Sequence, residues 1–391
     1  MRNVHDIAAT RAAPPARRRI AVDFHVVDGK YQGSRTYLID LIGRAARRMP
    51  DVDFLLFSPN PAACAALGDD YRLPNVSAIR MPGTSSAARL LWQLPRLVRR
   101  HRVDLLHMQY VLPFAVACPC VVTIHDVLFR SHPACFPPLH RTQLRYLVGH
   151  ATRRARRILT VSDYSRRSLR EFYGVDAHRI GVTPNAVDRH RFTPVAADPR
   201  VDEAVLARHG LRAGDYYVSV GRLEPRKNYP VLLAALRRLG PDAPRLAIVG
   251  QRDFGYRRLF ADAAALASAG KVVFLESVGD DELPILYRHA IGLAYPSRAE
   301  GFGMPLLEAM ACGIPVIASD TTAIAEIVAD AGIRVDPDDA GAWARQMRRL
   351  RDDRRLAATL VDAGLRRLDG YSWEASAEVL AGCYREALRE S

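Results

Sequence analysis

The chain has 391 residues, 49% hydrophobic and 25% charged, which is too long for one ordinary core and too apolar for a disordered protein. No stretch approaches the roughly 18 consecutive apolar residues of a membrane span, and the opening MRNVHDIAATRAAPPARRR lacks the apolar centre of a secretory signal, so a cytoplasmic protein is expected. Net charge is +14 and one-sided: residues 1–193 carry 30 Lys+Arg against 14 Asp+Glu, the remainder 26 against 28. Such a field attracts an anionic partner: a membrane surface, a phosphorylated acceptor or a nucleic acid. The six cysteines show no paired CxxC spacing, so buried reduced thiols are expected rather than a zinc site.

Residues 1–17 read as a loose tail. The first strand is RRRIAVDFHVV (17–27), followed by a Gly-containing loop and the amphipathic SRTYLIDLIGRAARR (34–48). Strand, loop and helix in this order open a doubly wound α/β domain. The alternation continues through VDFLLFS (52–58), VSAIR (76–80), a helical LLWQLPRLVRRHR (90–102), VDLLHMQ (103–109), CVVTIHD (120–126), a basic helix around 141–157, ILTVSDYS (158–165) and IGVTPNAV (180–187). A Pro- and Ala-rich stretch, FTPVAADPR (192–200), reads as a linker between a first domain of 18–191 and a second of 201–370. The same alternation restarts at YYVSVGRL (216–223) and runs through RLAIVG (245–250), KVVFLES (271–277), IGLAYPS (291–297), PVIASD (315–320) and IRVDP (333–337). A last helical run occupies 371–391. The expected fold is α/β, two Rossmann-like domains facing a central cleft.

Four segments carry candidate chemistry. In AEGFGMPLLEAMACGIPVIASD (299–320), Gly301-Phe302-Gly303 leads into a helix beginning near Pro305, and amides at such a start bind phosphate. Glu300 lies before that helix and Glu308 one turn inside it, so both can face one cleft. In VGRLEPRKNYP (220–230), Arg222 and Lys227 follow a strand end, where cations can neutralise a departing diphosphate; the spacing turns Arg226 elsewhere. In TIHDVLF (123–129), His125 ends a strand and Asp126 follows; His107 is a weaker candidate for the same cleft. In KYQGSRTY (30–37), Gly33 and Ser34 join the first strand to the first helix and offer a phosphate or acceptor loop.

Other signals count against rival chemistries. Asp51/Asp53 and Asp336/Asp338 form DxD patterns without clustered ligands, so no metal is expected there. The basic runs at 96–102 and 153–157 lack interleaved aromatics, which disfavours nucleic acid. GxGxxG and Walker patterns are absent, which disfavours a dinucleotide oxidoreductase or an NTPase.

The stretch with Glu300 and Glu308 seven residues apart, and GFG, PLLEAMA and PV around them, resembles the donor motif of retaining GT-B glycosyltransferases of group 1 and family 4. GR-x-x-P-x-KN at 221–228 is similar to their diphosphate site. The resemblance runs from about residue 18 and is strongest over 216–337. It implies that Glu308 binds the donor ribose and that Glu300 and His125 lie against the donor sugar. By the same resemblance, Arg222, Lys227 and the amides of Gly303, Met304, Leu306 and Leu307 face the diphosphate and sugar, and the final helix packs back on the first domain. Many relatives have two glycines at the first loop, where this chain has Gln32-Gly33. TVSDYS (160–165) resembles their serine-containing strand end, and Pro-Asn-Ala-Val-Asp (184–188) carries Ala186 in place of their glycine.

The expected activity is retaining transfer of a hexose, with mannose favoured, from a nucleotide-sugar to a glycan or lipid-linked acceptor in surface polysaccharide synthesis. GDP-mannose ranks ahead of a UDP-sugar, with no further cofactor and no metal. The basic first half implies peripheral contact with an anionic membrane. The alternatives are a phosphorylase or nucleotide-sugar epimerase of similar fold, or a non-enzymatic basic binding protein.

Overall fold

Short β-branched strands alternate with helices in two separate runs, and each run closes into its own parallel sheet. The computed structural model describes residues 17–27, 33–83, 85–254 and 256–389. Residues 1–16 of the expected tail, and Lys30 to Gln32 of the first loop, lie outside them.

The first sheet contains β1 (Arg18–Asp23), β2 (Val52–Ser58), β3 (Val76–Arg80), β4 (Leu105–Gln109), β5 (Cys120–Thr123), β6 (Arg157–Thr160) and β7 (Ile180–Val182), in the order β3-β2-β1-β4-β5-β6-β7. The second contains β8 (Tyr216–Val220), β9 (Arg245–Val249), β10 (Val272–Leu275), β11 (Gly292–Tyr295), β12 (Val316–Ser319) and β13 (Ile333–Val335), in the order β10-β9-β8-β11-β12-β13. Every pairing is parallel. Both sheets reverse their strand order once, between β1 and β4 and between β8 and β11. A crevice for ligands opens outside the carboxyl ends of strands at such a reversal. The two Rossmann-like domains expected from the sequence are therefore present.

The two faces of the first sheet are covered differently. Ile20, Val22 and Phe24 of the β1 region pack on one side with the helix Gly33–Arg48. The helix Trp373–Arg389 lies on that same side against Gly33–Arg48, although the second sheet separates it from the first domain in sequence. His107 explains part of this return. It points under the helix, its Nδ1 2.5 Å from the Tyr384 hydroxyl and its Nε2 2.9 Å from Thr123 Oγ1. His107 is thus a core residue and not a cleft residue. Burial, with His125 nearby, pushes it down to about 3, so it stays neutral.

On the other side, Leu90, Leu94 and Val98 pack with Val148 and Ala151 of the helix Pro138–Arg154. The expected single helix over 90–102 is broken into Ser86–Ala88, a π turn at Arg89–Gln93 and Leu94–Arg100. Pro95 accounts for the break, since it lacks an N–H and its ring crowds the carbonyl four residues earlier. The wide turn leaves Leu91 and Trp92 47% and 58% exposed. The stretch 192–200 also differs from a plain linker: a helix, Pro199–Arg208, starts inside it, with Asp198 accepting from the Arg200 amide.

None of the six cysteines is in a disulfide; five are buried and Cys135 is half-buried. Among the described residues, no helix is long and apolar enough to cross a membrane.

Candidate active site

The crevice of the second sheet is built from two loops. One follows β8. Gly221 has φ +152 and lies so close to Gly250 that a Cβ on Gly250 would meet the Gly221 carbonyl oxygen at 1.9 Å. This close passage turns the chain into Pro225–Lys227, and Asn228 in the left-handed region (φ 54) starts the helix Tyr229–Leu239. The other loop follows β11 and ends at Gly303 (φ 114), which precedes the helix Met304–Ala311.

Where the two loops meet, Lys227 Nζ lies 2.7 Å from Glu300 Oε1 and 3.2 Å from the Tyr295 hydroxyl. Arg226 Nη1 lies 2.7 Å from Glu300 Oε2, and Arg226 Nη2 lies 2.5 Å from Glu224 Oε1. Glu300 and Lys227 are both buried. Burial disfavours ionisation of Glu300, but Arg226 and Lys227 outweigh it and hold the carboxyl down to about 2. Burial lowers Lys227, with the Glu300 charge pulling it back up. Arg226 therefore corrects the sequence reading: it points into the crevice, because the short helical turn at 225–227 brings two successive cations onto one carboxylate.

The remaining expected donor residues are spread along the crevice. Arg222 pairs with Asp253 at 2.8 Å and does not join the Lys227–Glu300 group. Glu308 Oε2 accepts from the Tyr287 hydroxyl at 2.8 Å. Burial raises the Glu308 pKa, while Tyr287 and then Arg191 oppose the rise. At the helix start, the Leu306 amide already donates to the Gly303 carbonyl at 3.0 Å, and Pro305 has no N–H. The set of free amides is accordingly narrower than Gly303, Met304, Leu306 and Leu307 together. The Leu306 and Leu307 side chains are buried in the core.

The first domain brings His125 to the same crevice. Its Nε2 donates to Gln109 Oε1 at 2.6 Å, and Tyr37 and Tyr110 flank the ring with centroids at 4.8 and 5.5 Å. Burial pushes His125 down to about 4, so the imidazole is neutral at physiological pH. Asp126 approaches the second domain: a Cβ on Gly301 would sit 2.7 Å from Asp126 Cβ and 3.0 Å from the His125 carbonyl oxygen. Ser162 Oγ donates to the Gly301 carbonyl at 2.7 Å, and Ser165 Oγ does so at 3.3 Å. Beside them, the Asp163 and Tyr164 amides donate to Glu326 at 2.9 and 2.8 Å. Gly33 is exposed at the first position of its helix, where an added Cβ would meet nothing; Ser34 follows it, half-buried.

Sequence reasoning missed Asp126 as an interdomain contact, along with Glu224, Gln109, Tyr287 and Glu326. Asp126 was visible as the neighbour of His125. No local pattern marks Glu326, because its partners are 162 and 163 residues away. Among the described residues, no group of three or more His, Cys, Asp or Glu side chains could hold a metal ion. In the DxD patterns, Asp53 pairs with Arg17 and Asp338 with Arg298.

Two family models match this architecture domain by domain: Glycosyltransferase Family 4 over residues 31–191 and Glycosyl transferases group 1 over 207–367. The chain is a group 1, family 4 glycosyltransferase. This transferase is 34% identical over 263 residues to the O-antigen chain mannosyltransferase B of Escherichia coli, a match covering 65% of this chain and 67% of the relative. It is 38% identical over 230 residues to a D-inositol 3-phosphate glycosyltransferase of Salinispora arenicola, covering 55% of this chain and about half (51%) of the relative's length. Its fold resembles the solved structure of Anabaena Alr3699/HepE in complex with UDP-glucose, with TM-score 0.75 and 21% identity, over 95% of this chain and 100% of that one. Both domains and the crevice between them therefore follow the GT-B arrangement.

Proposed function

We propose that the enzyme moves a hexose, with mannose favoured, from a nucleotide-sugar to a glycan or lipid-linked acceptor in surface polysaccharide synthesis. The reading rests on the buried Lys227–Glu300–Arg226 group, set at the strand reversal of the second sheet, where its charges reach Asp126, the residue after His125. The mannosyltransferase relative favours mannose and hence GDP-mannose. The inositol-phosphate relative and the UDP-glucose complex of the structural neighbour keep a UDP-sugar and a phosphorylated acceptor as the competing outcomes.

In this mechanism Glu308 accepts from the donor ribose, and Lys227, Arg222, Arg226 and the amides at Gly303 and Met304 face the diphosphate. As the bond between the anomeric carbon and phosphate oxygen breaks, negative charge grows on the diphosphate, and cations fixed in advance lower that barrier. The acceptor hydroxyl attacks from the face the leaving group vacates, a new glycosidic bond forms with retention, and a leaving phosphate oxygen takes the hydroxyl proton. Neutral His125 and ionised Glu300 orient the sugar. The reaction needs no metal and no further cofactor. Gly33 and Ser34 border the acceptor side.

The acceptor is proposed to lie at the cytoplasmic face of an anionic membrane. Residues 85–157 contain twelve arginines and two aspartates. The exposed Leu91, Trp92, Leu139 and Tyr146 belong to two helical segments covering one face of the first sheet, and Arg96, Arg99, Arg100, Arg145 and Arg153 lie exposed beside them. Each such cation contributes about 1 kcal/mol near an anionic surface.

The test is incubation of the purified enzyme with GDP-mannose, GDP-glucose, UDP-glucose and UDP-galactose, together with extracted lipid-linked acceptors, followed by NMR of the product's anomeric configuration. Transfer from GDP-mannose with retention is the expected result. Transfer from UDP-sugars only, or an inverted product, overturns the donor or the stereochemical part of the reading.

A further inference from the structure

Glu308 sits one turn inside its helix, and its side chain is fixed from outside that helix. Tyr287, on the helix Glu282–Arg288, is fully buried, and its hydroxyl donates to Glu308 Oε2 at 2.8 Å. Tyr287 is itself wedged in place. Phe192, just past the first domain, packs against its ring with centroids 6.1 Å apart and planes at 66°. The backbone of its helix is tied to β8 by the neighbouring Tyr216 hydroxyl, which donates to the Leu286 carbonyl at 2.7 Å.

The chemistry of that bond has a direction. A phenol has one proton, and here it is given to the carboxylate, so Glu308 must be an acceptor at Oε2. An ionised carboxylate accepts only, and its remaining lone pairs need hydroxyl donors from a ligand. A protonated carboxyl could donate as well and would not discriminate a diol from a single hydroxyl. Burial drives Glu308 toward that protonated form. The groups facing it are Tyr287 from the neighbouring helix, the Arg191 charge from the interdomain segment, and Cys312 on its own helix.

We infer that Tyr287 is a positioning residue that makes Glu308 selective for nucleotides with an intact ribose diol. The inference rests on the ribose role proposed for Glu308.

The experiment measures dissociation constants by calorimetry for GDP against 2′-deoxy-GDP and UDP against 2′-deoxy-UDP, taking whichever pair binds. The proteins are the wild type, Tyr287→Phe, Tyr216→Phe and Glu308→Ala. Tyr216→Phe is the control, since it removes an equally buried hydroxyl anchoring the same helix without touching Glu308. Tyr287→Phe is expected to reduce the preference for the ribonucleotide about tenfold, the scale of one hydrogen bond to a charged group. Its acid limb of binding should move to higher pH, because losing the phenol donor lets Glu308 protonate sooner. Tyr216→Phe should retain the wild-type preference. An unchanged preference in Tyr287→Phe, or an equal loss in Tyr216→Phe, overturns the inference while the ribose role stands. If the wild type does not distinguish the pair, or Glu308→Ala retains the preference, the ribose role itself fails.

Discussion

Glu300 carries opposite demands in one side chain. It is buried, which penalises its charge, and it is gripped by two cations, which reward it. The balance leaves its folded pKa near 2, below the ordinary 4.5. A depressed carboxylate stabilises the fold above its unfolded pKa, and that stabilisation is lost as pH falls through the folded value. Glu300→Gln should therefore lower the Tm at pH 7, and the gap to wild type should close between about pH 4.5 and pH 2. Thermal melts of both proteins across that window check this, and a gap that stays constant would contradict the ion-pair account. At this scale the sequence was partly legible. Glu300, Lys227 and His125 were marked by spacing and strand ends. Arg226 was misread because a short helical turn, and not an extended loop, sets its direction. Arg222 was marked, yet it pairs with Asp253, a residue no motif connected to it.

Among the elements, the π turn at Arg89–Gln93 has the clearest consequence. The apolar periodicity of 90–102 announces a helix, and the position of Pro95 announces trouble within it, but only packing decides that the extra residue pushes Leu91 and Trp92 outward. Arg89 is turned inward and reaches Asp23 Oδ2 at 3.0 Å, an anchor that periodicity cannot show because Asp23 lies on β1. Replacing both apolar residues, Leu91→Ser with Trp92→Ser, removes exposed surface and should leave the core intact. Flotation with vesicles containing phosphatidylglycerol should recover the wild type at low salt, and the double variant should bind at least several-fold more weakly, since wedge and charge act together. Absence of wild-type flotation would reject the membrane proposal outright. The strands were the most legible elements, since buried apolar runs alternating with helices leave few alternatives to parallel sheets. The reach of the helix Trp373–Arg389 came from resemblance alone; its own amphipathic pattern does not say which surface it covers.

Across the whole molecule, one polar contact between the two domains sets a carboxylate against a helix start. Glu326 of the second domain takes the first two amides of the helix Asp163–Tyr173, where the helix dipole favours an anion. Ser162 and Ser165 hold the Gly301 carbonyl beside it. Glu326→Ala should release this contact and shift the free enzyme to a more open form. Small-angle scattering should then give a larger radius of gyration than wild type without nucleotide; equal values would show that Glu326 does not restrain the domains. The serines lie in a segment marked by resemblance, but Glu326 was not readable from the chain, because a partner more than 160 residues away leaves no local mark.

The buried contact between His107 and Tyr384 joins residues 277 positions apart. The strands of the first sheet therefore wait, with part of one apolar flank open, until a segment made much later arrives to roof it. Synthesis of this enzyme passes through a long interval in which its first half is incomplete while its second half can already be assembled.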